Sequence, residues 1–197
     1  MPAPEPTLDC GPCVLRAWRA DDAVSLQRHA DNPRVSRALR DRFPNPYTAA
    51  DASAFLAGCA AAHEDWRFAL TVDGAAVGGL GFRPGEDVHR HAAEVGYWLG
   101  EAYWGRGLVA AALRVAVPAA MAHYRLHRVH AGVYSSNPAS MRLLERLGFR
   151  RDAVLPCAVV KHGELLDLHV YSIVRRSLDH PVTLNPSPWS GEGQGRG

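Results

Sequence analysis

Eleven residues near the middle of the chain, Tyr103-Trp104-Gly105-Arg106-Gly107-Leu108-Val109-Ala110-Ala111-Ala112-Leu113, constrain its fold more than any other stretch. They follow an alternating, strand-like segment at 94–99 and run straight into an apolar, alanine-rich pattern with helical spacing. A strand that turns through glycines into a helix leaves the first N–H groups of that helix without intrahelical partners. Those donors, backed by the positive end of the helix dipole, form a ready site for phosphate. Gly105 and Gly107 have no side chain to hold a ligand off the backbone, and Arg106 adds a cation. Gly-x-Gly alone also describes a plain tight turn, so the surrounding sequence has to decide.

A chain of 197 residues is long enough for one domain with a substantial core. Its net charge of +2 is too mild to argue for nucleic acid, and no basic stripe is present. Met1-Pro-Ala-Pro-Glu-Pro lacks the apolar core of a signal peptide. The most apolar stretch, 108–122, is interrupted by Arg114 and Pro118 and is too short to span a bilayer, so it reads as a buried helix. These features predict a cytoplasmic protein with no membrane partner. Cys10-Gly11-Pro12-Cys13 invites a redox reading, but the alternating Val14-Leu15-Arg16-Ala17-Trp18 follows it instead of a helix. With no second pair to complete a zinc site, the motif reads as a coincidental, reduced pair and no metal is expected. Cys59 and Cys157 read as small buried hydrophobes.

The pattern along the chain divides it into a proline-rich, flexible N-terminus at 1–12, a folded domain at 13–178 and a disordered tail at 179–197, rich in Pro, Ser and Gly. Within the domain a first strand at 13–19 precedes helical segments at 21–29 and 35–39. Thr48 and Asp51 resemble a capping start for a helix over 49–63. Strands at 66–72 and 75–82 flank the hairpin turn Asp73-Gly74. A fourth strand at 93–99 leads to the glycine turn and the long helix, where Pro118 is expected to introduce a kink. A fifth strand at 128–134, a short helix at 139–147 capped by Gly148, and two strands at 149–160 and 165–174 complete the order. The result is an α/β arrangement with a mixed, mostly antiparallel central sheet of about seven strands flanked by helices.

Four segments now stand in order: Glu94-Val95-Gly96-Tyr97-Trp98-Leu99, Tyr103-Trp104-Gly105-Arg106-Gly107, Asn137-Pro138-Ala139-Ser140, and Leu144-Glu145-Arg146-Leu147-Gly148-Phe149. In this order and spacing they resemble the GNAT superfamily of acetyl-coenzyme A-dependent N-acetyltransferases, across about 13–175. The branch they look most like is that of the Rim-type ribosomal-protein-alanine N-acetyltransferases, to which Asp167 and Tyr171 also conform. The resemblance implies a sheet splayed between the fourth and fifth strands and acetyl-coenzyme A as co-substrate. It implies that Trp104, Gly105, Arg106, Gly107, Leu108, Val109 and Ala110 cradle the pyrophosphate. Val109 departs from the Gly or Ala usual there, although only its N–H is needed. By the same resemblance Asn137 bonds the pantetheine arm, while an Asn before Pro is also a common turn. Backbone groups of Tyr97, Trp98 and Leu99, at the splay, are implied to hold the thioester carbonyl. A homodimer would be in keeping with this branch.

Direct attack of a neutral amine on the thioester needs a base for the amine, an oxyanion site and an acid for the leaving sulfur. Where many superfamily members place an acidic tyrosine, this chain has Glu145, and Ser140 matches the serine the Rim-type branch uses instead. Capping or packing of the short helix is the alternative role for Ser140. Glu94 is the first candidate for the base, with a solvated structural glutamate as its alternative; Glu164 and Asp167 fit less well, and His130 and His169 read as packing residues. An α-amine with pKa about 8 is roughly one-tenth neutral at pH 7, so its deprotonation costs about 1.4 kcal/mol, against about 4.6 kcal/mol for lysine. A site without an obvious strong base therefore suits α-amines. Acetylation of a protein or peptide N-terminus is one reading; acetylation of a small amine such as an amino acid, polyamine or antibiotic is the second. A catalytically silent acyl-coenzyme A-binding module is the third. Few acids lie near the expected acceptor loops (Asp41, Glu86, Asp87), which argues against a strongly cationic acceptor.

Overall fold

Strands with one face against helices build a single eight-stranded sheet, seen in a computed structural model that describes residues 6–61 and 66–175. Its strands are β1 (Leu8–Asp9), β2 (Val14–Ala17), β3 (Arg67–Val72), β4 (Ala75–Pro84), β5 (Ala92–Leu99), β6 (Arg128–Tyr134), β7 (Arg150–Lys161) and β8 (Glu164–Val174). They lie in the order β1-β2-β3-β4-β5-β6-β8-β7. Every pairing is antiparallel except β5 with β6. The helices are α1 (Ala23–Ala30), α2 (Pro33–Ser36), α3 (Ala49–Ala61), α4 (Leu108–His123) and α5 (Pro138–Arg146).

The mixed, mostly antiparallel sheet expected from the sequence is present with eight strands against about seven, the additional one being β1, which the proline-rich composition of the N-terminus concealed. Leu8 pairs with Leu15 and Asp9 with Val14, and the Cys10 N–H donates to the Cys13 carbonyl at 2.9 Å to close the turn. This strand lies ahead of Cys13, within the segment 1–12. Both thiols of that turn are free and buried. Cys157 is exposed and Cys59 only half-buried, contrary to the reading of both as core residues. Cys157 lies at a register shift between Leu155 and Val159 of β7, the edge strand of the sheet, whose residues are nearly all exposed. The tail at 179–197, expected to be disordered, and the end of the helix expected over 49–63 fall outside the described residues.

α4 is apolar on the sides that meet the sheet, where Leu108, Ala112, Leu113, Ala116, Val117, Ala120 and Met121 are buried. They pack with Ala93, Val95, Val129, Ala131 and Val133 of β5 and β6 in the main core. Pro118 sits inside α4 and the helix continues past it to His123. A second cluster places Leu26 and Ala30 of α1 against Tyr47 and Ala52, with Phe43 and Trp98 at its margin. Among the described residues no helix is long and apolar enough to cross a membrane.

One buried ion pair ties three elements together. Arg16 on β2 makes a two-pronged contact with Asp22, Nη1 to Oδ2 and Nη2 to Oδ1, both 2.7 Å. Asp22 also accepts from the Arg19 N–H at 2.8 Å, and Arg16 reaches the Gly74 carbonyl in the β3–β4 turn.

Candidate active site

β5 and β6 run in parallel and pair only through Ala92–Arg128, Ala93–Val129 and Glu94–His130. Beyond that point each continues without the other, β5 held by β4 and β6 by β8. The opening leaves the β6-facing edge of residues 95–99 with no strand to bond. A cleft of about 2610 Å³ passes through this opening, lined on one side by the start of α4 and on the other by the loop after α2.

The start of α4 has the geometry its glycines allow. Gly105 and Gly107 have φ of 75° and 73°, in the left-handed region that costs an L-residue roughly 1–2 kcal/mol. A Cβ at either position would meet no protein atom within 4 Å, so the bend faces open space. Gly107 is the N-cap and supplies no side-chain acceptor; its carbonyl accepts from the Ala111 N–H at 3.0 Å. The N–H groups of Leu108, Val109 and Ala110 have no acceptor among the described residues, and all three residues line the cleft. Bare amides, a dipole terminus and space form a cradle for an anion. Arg106 turns back to donate to the Ala102 carbonyl at 2.9 Å, its guanidinium 4.9 Å from the Tyr103 ring. Trp104 donates from Nε1 to the Leu99 carbonyl at 2.7 Å, pinning the end of β5 to the glycine bend.

At the splay, the Tyr97 hydroxyl on β5 lies 2.7 Å from Ser140 Oγ on α5. Burial pushes the Tyr97 phenol up to about 12 against a smaller downward pull from Ser140, so it stays protonated across the neutral range. Ser140 is held by its own helix start: its N–H donates to Asn137 Oδ1 at 3.1 Å, and Pro138 occupies the first turn. Asn137 therefore caps α5, and its amide NH₂ has no partner among the described residues. Glu145, at the position of the missing tyrosine, accepts from the fully buried Tyr171 hydroxyl at 2.9 Å.

Glu94 lies on the opposite face of β5 from Val95, hence on the side of the sheet away from α4. Its carboxylate is held between Arg40, from the loop after α2, and Arg83 on β4. Burial works to raise its pKa, but the two guanidiniums outweigh that and hold it below the usual carboxylate range. Beside it, His130 is held low by burial, against an upward pull from Glu94, and its Nδ1 has no hydrogen-bond partner among the described residues. The loop carrying Arg40 is fastened over the splay at two further points: Asp41 accepts from the buried Lys161 ammonium at 2.7 Å, and Arg37 pairs with Glu164 at 3.3 Å. Phe43 then lies edge-on to Trp98, ring centres 5.4 Å apart.

A family model described as an acetyltransferase (GNAT) domain matches residues 13–150. The chain belongs to the GNAT acetyltransferase family. The GNAT relative p20 from Bacillus licheniformis, described as an uncharacterized N-acetyltransferase, is 26% identical over 166 residues, spanning 83% of this chain and 93% of p20. Among solved structures, Mycobacterium smegmatis RimJ in complex with coenzyme A disulfide superposes with a TM-score of 0.79 at 23% identity, covering 90% of this chain and 91% of RimJ. RimL, a ribosomal L7/L12 alpha-N-protein acetyltransferase bound to coenzyme A, gives 0.77 at 19% identity over 86% of this chain and 98% of RimL. These two likenesses extend to the fold.

The GNAT cleft is lined by Glu94, by residues 97–99 and 104–110, and by Asn137 and Ser140, with Tyr97, Asn137 and Ser140 on one side of the splay and Glu94 on the other; the lesser base candidates Glu164 and Asp167 are not among its lining residues. Sequence reasoning missed the Tyr97–Ser140 contact, the arginines around Glu94, and the wall built by Trp98. A Cβ on Gly79 would stand 2.7 Å from Trp98 Nε1 and 3.2 Å from Trp18 Cζ2, so that glycine makes room for the indole. The available signal was Gly78, Gly79 and Gly81 inside one strand, a pattern that marks close approach.

Proposed function

We propose that this GNAT acetyltransferase moves the acetyl group of acetyl-coenzyme A to the α-amine of a protein or peptide N-terminus, in the cytoplasm. The observation that carries the acceptor class is the clamp on Glu94. A carboxylate held anionic by Arg40 and Arg83 takes up a proton reluctantly, so the site favours an amine that is already partly neutral at pH 7. The description of the structural neighbour RimL as an alpha-N-protein acetyltransferase points the same way, and free thiols at all four cysteines suit a reducing compartment.

In this reading the pyrophosphate rests on the N–H groups of Leu108, Val109 and Ala110, over the bend at Gly105, Arg106 and Gly107. Trp104 keeps that bend in register with Leu99, and the Asn137 amide NH₂ donates to the pantetheine arm. The thioester carbonyl lies along the unpaired edge at 97–99; strand residues alternate sides, so the N–H groups of Tyr97 and Leu99 face that edge, ready for negative charge on the carbonyl oxygen, while the Trp98 backbone faces β4. Tyr97 donates to Ser140 Oγ, which frees the Ser140 proton to point at the departing sulfur and stabilise it as the C–S bond breaks. Glu94 accepts a hydrogen bond from the entering neutral amine near the splay, and the proton the amine sheds as it attacks passes to solvent water, the carboxylate staying anionic between Arg40 and Arg83.

The test is release of free thiol from acetyl-coenzyme A with three sets of peptides: free α-amine without lysine, blocked α-amine with lysine, and blocked throughout. Turnover confined to the first set is the expected result. Turnover confined to lysine-bearing, N-blocked peptides, or to small diamines, would overturn the assignment.

A further inference from the structure

The acceptor half of the cleft has an unusual charge balance for a site that takes an amine. Arg40, Arg42 and Arg83 all line it, and the only acids among the described lining residues of the whole cleft are Asp51 and Glu94. Glu94 alone serves both Arg40 and Arg83. Arg42 is exposed, and among the described residues it has no ion-pair partner. Partial burial first, then like charge from Arg40, Arg83 and Arg67, outweigh an opposing pull from Glu94 and hold its pKa below the usual arginine value. The neighbouring arginines outside this group are balanced, Arg37 by Glu164 and Arg34 by Glu101.

This excess does not belong to the cofactor side. The cofactor half has arginines of its own, Arg106 and Arg114 on the α4 side and Arg146 on α5. Arg83 and Glu94 pair across β4 and β5, and Glu94 faces away from α4, where its neighbour Val95 is buried. Arg40 and Arg42 come from the loop on that same side. The cations lining the cleft are all arginine, whose planar fork matches a carboxylate in two parallel hydrogen bonds, which a lysine ammonium cannot do.

Building on the α-amine reading, we propose that the acceptor is acidic: an N-terminal segment with Asp or Glu within its first few residues, whose carboxylate meets Arg42 and its arginine neighbours while the α-amine reaches the splay. The acidic side chain neutralises the excess charge, and the same arginines disfavour the protonated form of the amine, leaving more of it nucleophilic. A polyamine or an aminoglycoside would meet repulsion at this mouth.

Three peptides with a free α-amine and matched length test this: Ala followed by Glu and Asp, by Gln and Asn, or by Lys and Arg. Thiol release at low salt should give the acidic peptide a kcat/KM at least ten-fold above the neutral one and a hundred-fold above the basic one, mainly through KM. High salt should compress these ratios, because exposed charges are screened. Arg42→Glu should invert the order of the acidic and basic peptides, with unchanged coenzyme A affinity reporting a folded variant. Equal kcat/KM across the series, with all three turned over, overturns the charge proposal and leaves the α-amine reading standing. Turnover of none of them, in a protein that still binds coenzyme A, overturns both.

Discussion

Tyr97 and Ser140 come from distant parts of the chain, a strand and a helix start, yet their hydroxyl oxygens lie 2.7 Å apart in the splay of the sheet. Two hydroxyls at that distance share one hydrogen bond, and the one that accepts keeps its own proton for a third group. If Ser140 donates to the leaving sulfur, Ser140→Ala should lower kcat about 10²-fold with little change in KM for acetyl-coenzyme A. Tyr97→Phe should cost less, about ten-fold, because it removes the orienting partner and not the donor. The double variant should resemble Ser140→Ala alone, since both changes break one unit. Steady-state kinetics on the four proteins decides; fully multiplicative losses would mean that the hydroxyls act separately.

Gly107 separates folding from ligand binding at the start of α4. Its φ of 73° penalises any L-residue, while the space where a Cβ would stand is empty of protein. Gly107→Ala should therefore lose about 1 kcal/mol of stability and at least ten-fold in coenzyme A affinity. Gly107→Asn should recover most of the stability, because asparagine tolerates the left-handed region, but not the affinity. Thermal melts and calorimetry on the two variants read these apart. Recovery of affinity along with stability in the asparagine variant would remove the bend from the phosphate site.

The strands, the glycine bend and the helix after it were legible because each is written in local periodicity and in glycine. The short strand Leu8–Asp9 was not, since two residues carry no period and its partner Leu15 lies beyond a turn containing proline. The same limit hid the surroundings of Glu94. Arg40 is 54 residues away along the chain, and nothing in its local sequence says that the loop after α2 crosses the splay. Fastening by Lys161–Asp41 and Arg37–Glu164 is likewise a product of tertiary placement. Asn137 shows the reverse case: the turn reading of Asn-Pro is seen in its amide oxygen, which accepts from the Ser140 N–H, and the proposed contact to the cofactor would use the other atom of the same amide, the NH₂.

Two histidines should make the fold sensitive to mild acid. His29, packed against Gly100 and edge-on to Tyr103 at 5.4 Å, and His130, beside Glu94, are both held below the ordinary histidine pKa, first by burial. Arg28 adds to the effect on His29; Glu94 and Asp152 oppose it on His130, while Arg128 and Arg83 reinforce it. In the unfolded chain both titrate near 6.5, so below that pH the unfolded state binds more protons and stability falls. The urea midpoint should drop between about pH 7.5 and pH 5.5, and His130→Asn with His29→Gln should flatten that slope relative to its own value at neutral pH. An equally steep slope in the double variant would assign the acid sensitivity to other groups.

Asp22 offers the sharpest test of what holds the N-terminal strands to the rest of the sheet. Burial pushes its carboxyl pKa up, yet the two-pronged contact with Arg16 and the Arg19 N–H prevail and hold it below the usual value. Removing the carboxylate strands the guanidinium of Arg16, a residue only 8% exposed, without its counterion. Asp22→Ala should therefore destabilise the fold by about 3–5 kcal/mol. Arg16→Met with Asp22→Leu should cost much less, because an apolar pair leaves no buried charge uncompensated. A depressed carboxyl contributes stability that is complete above its unfolded pKa, near 4, and declines as pH falls through the folded value. The wild-type protein should thus lose this contribution only under strong acid, whereas Asp22→Ala lacks it at every pH. Denaturant unfolding of the three proteins at neutral and acid pH measures both effects. A single-variant loss no larger than that of the apolar pair would show that the contact orients the β2–α1 corner without bearing on its stability.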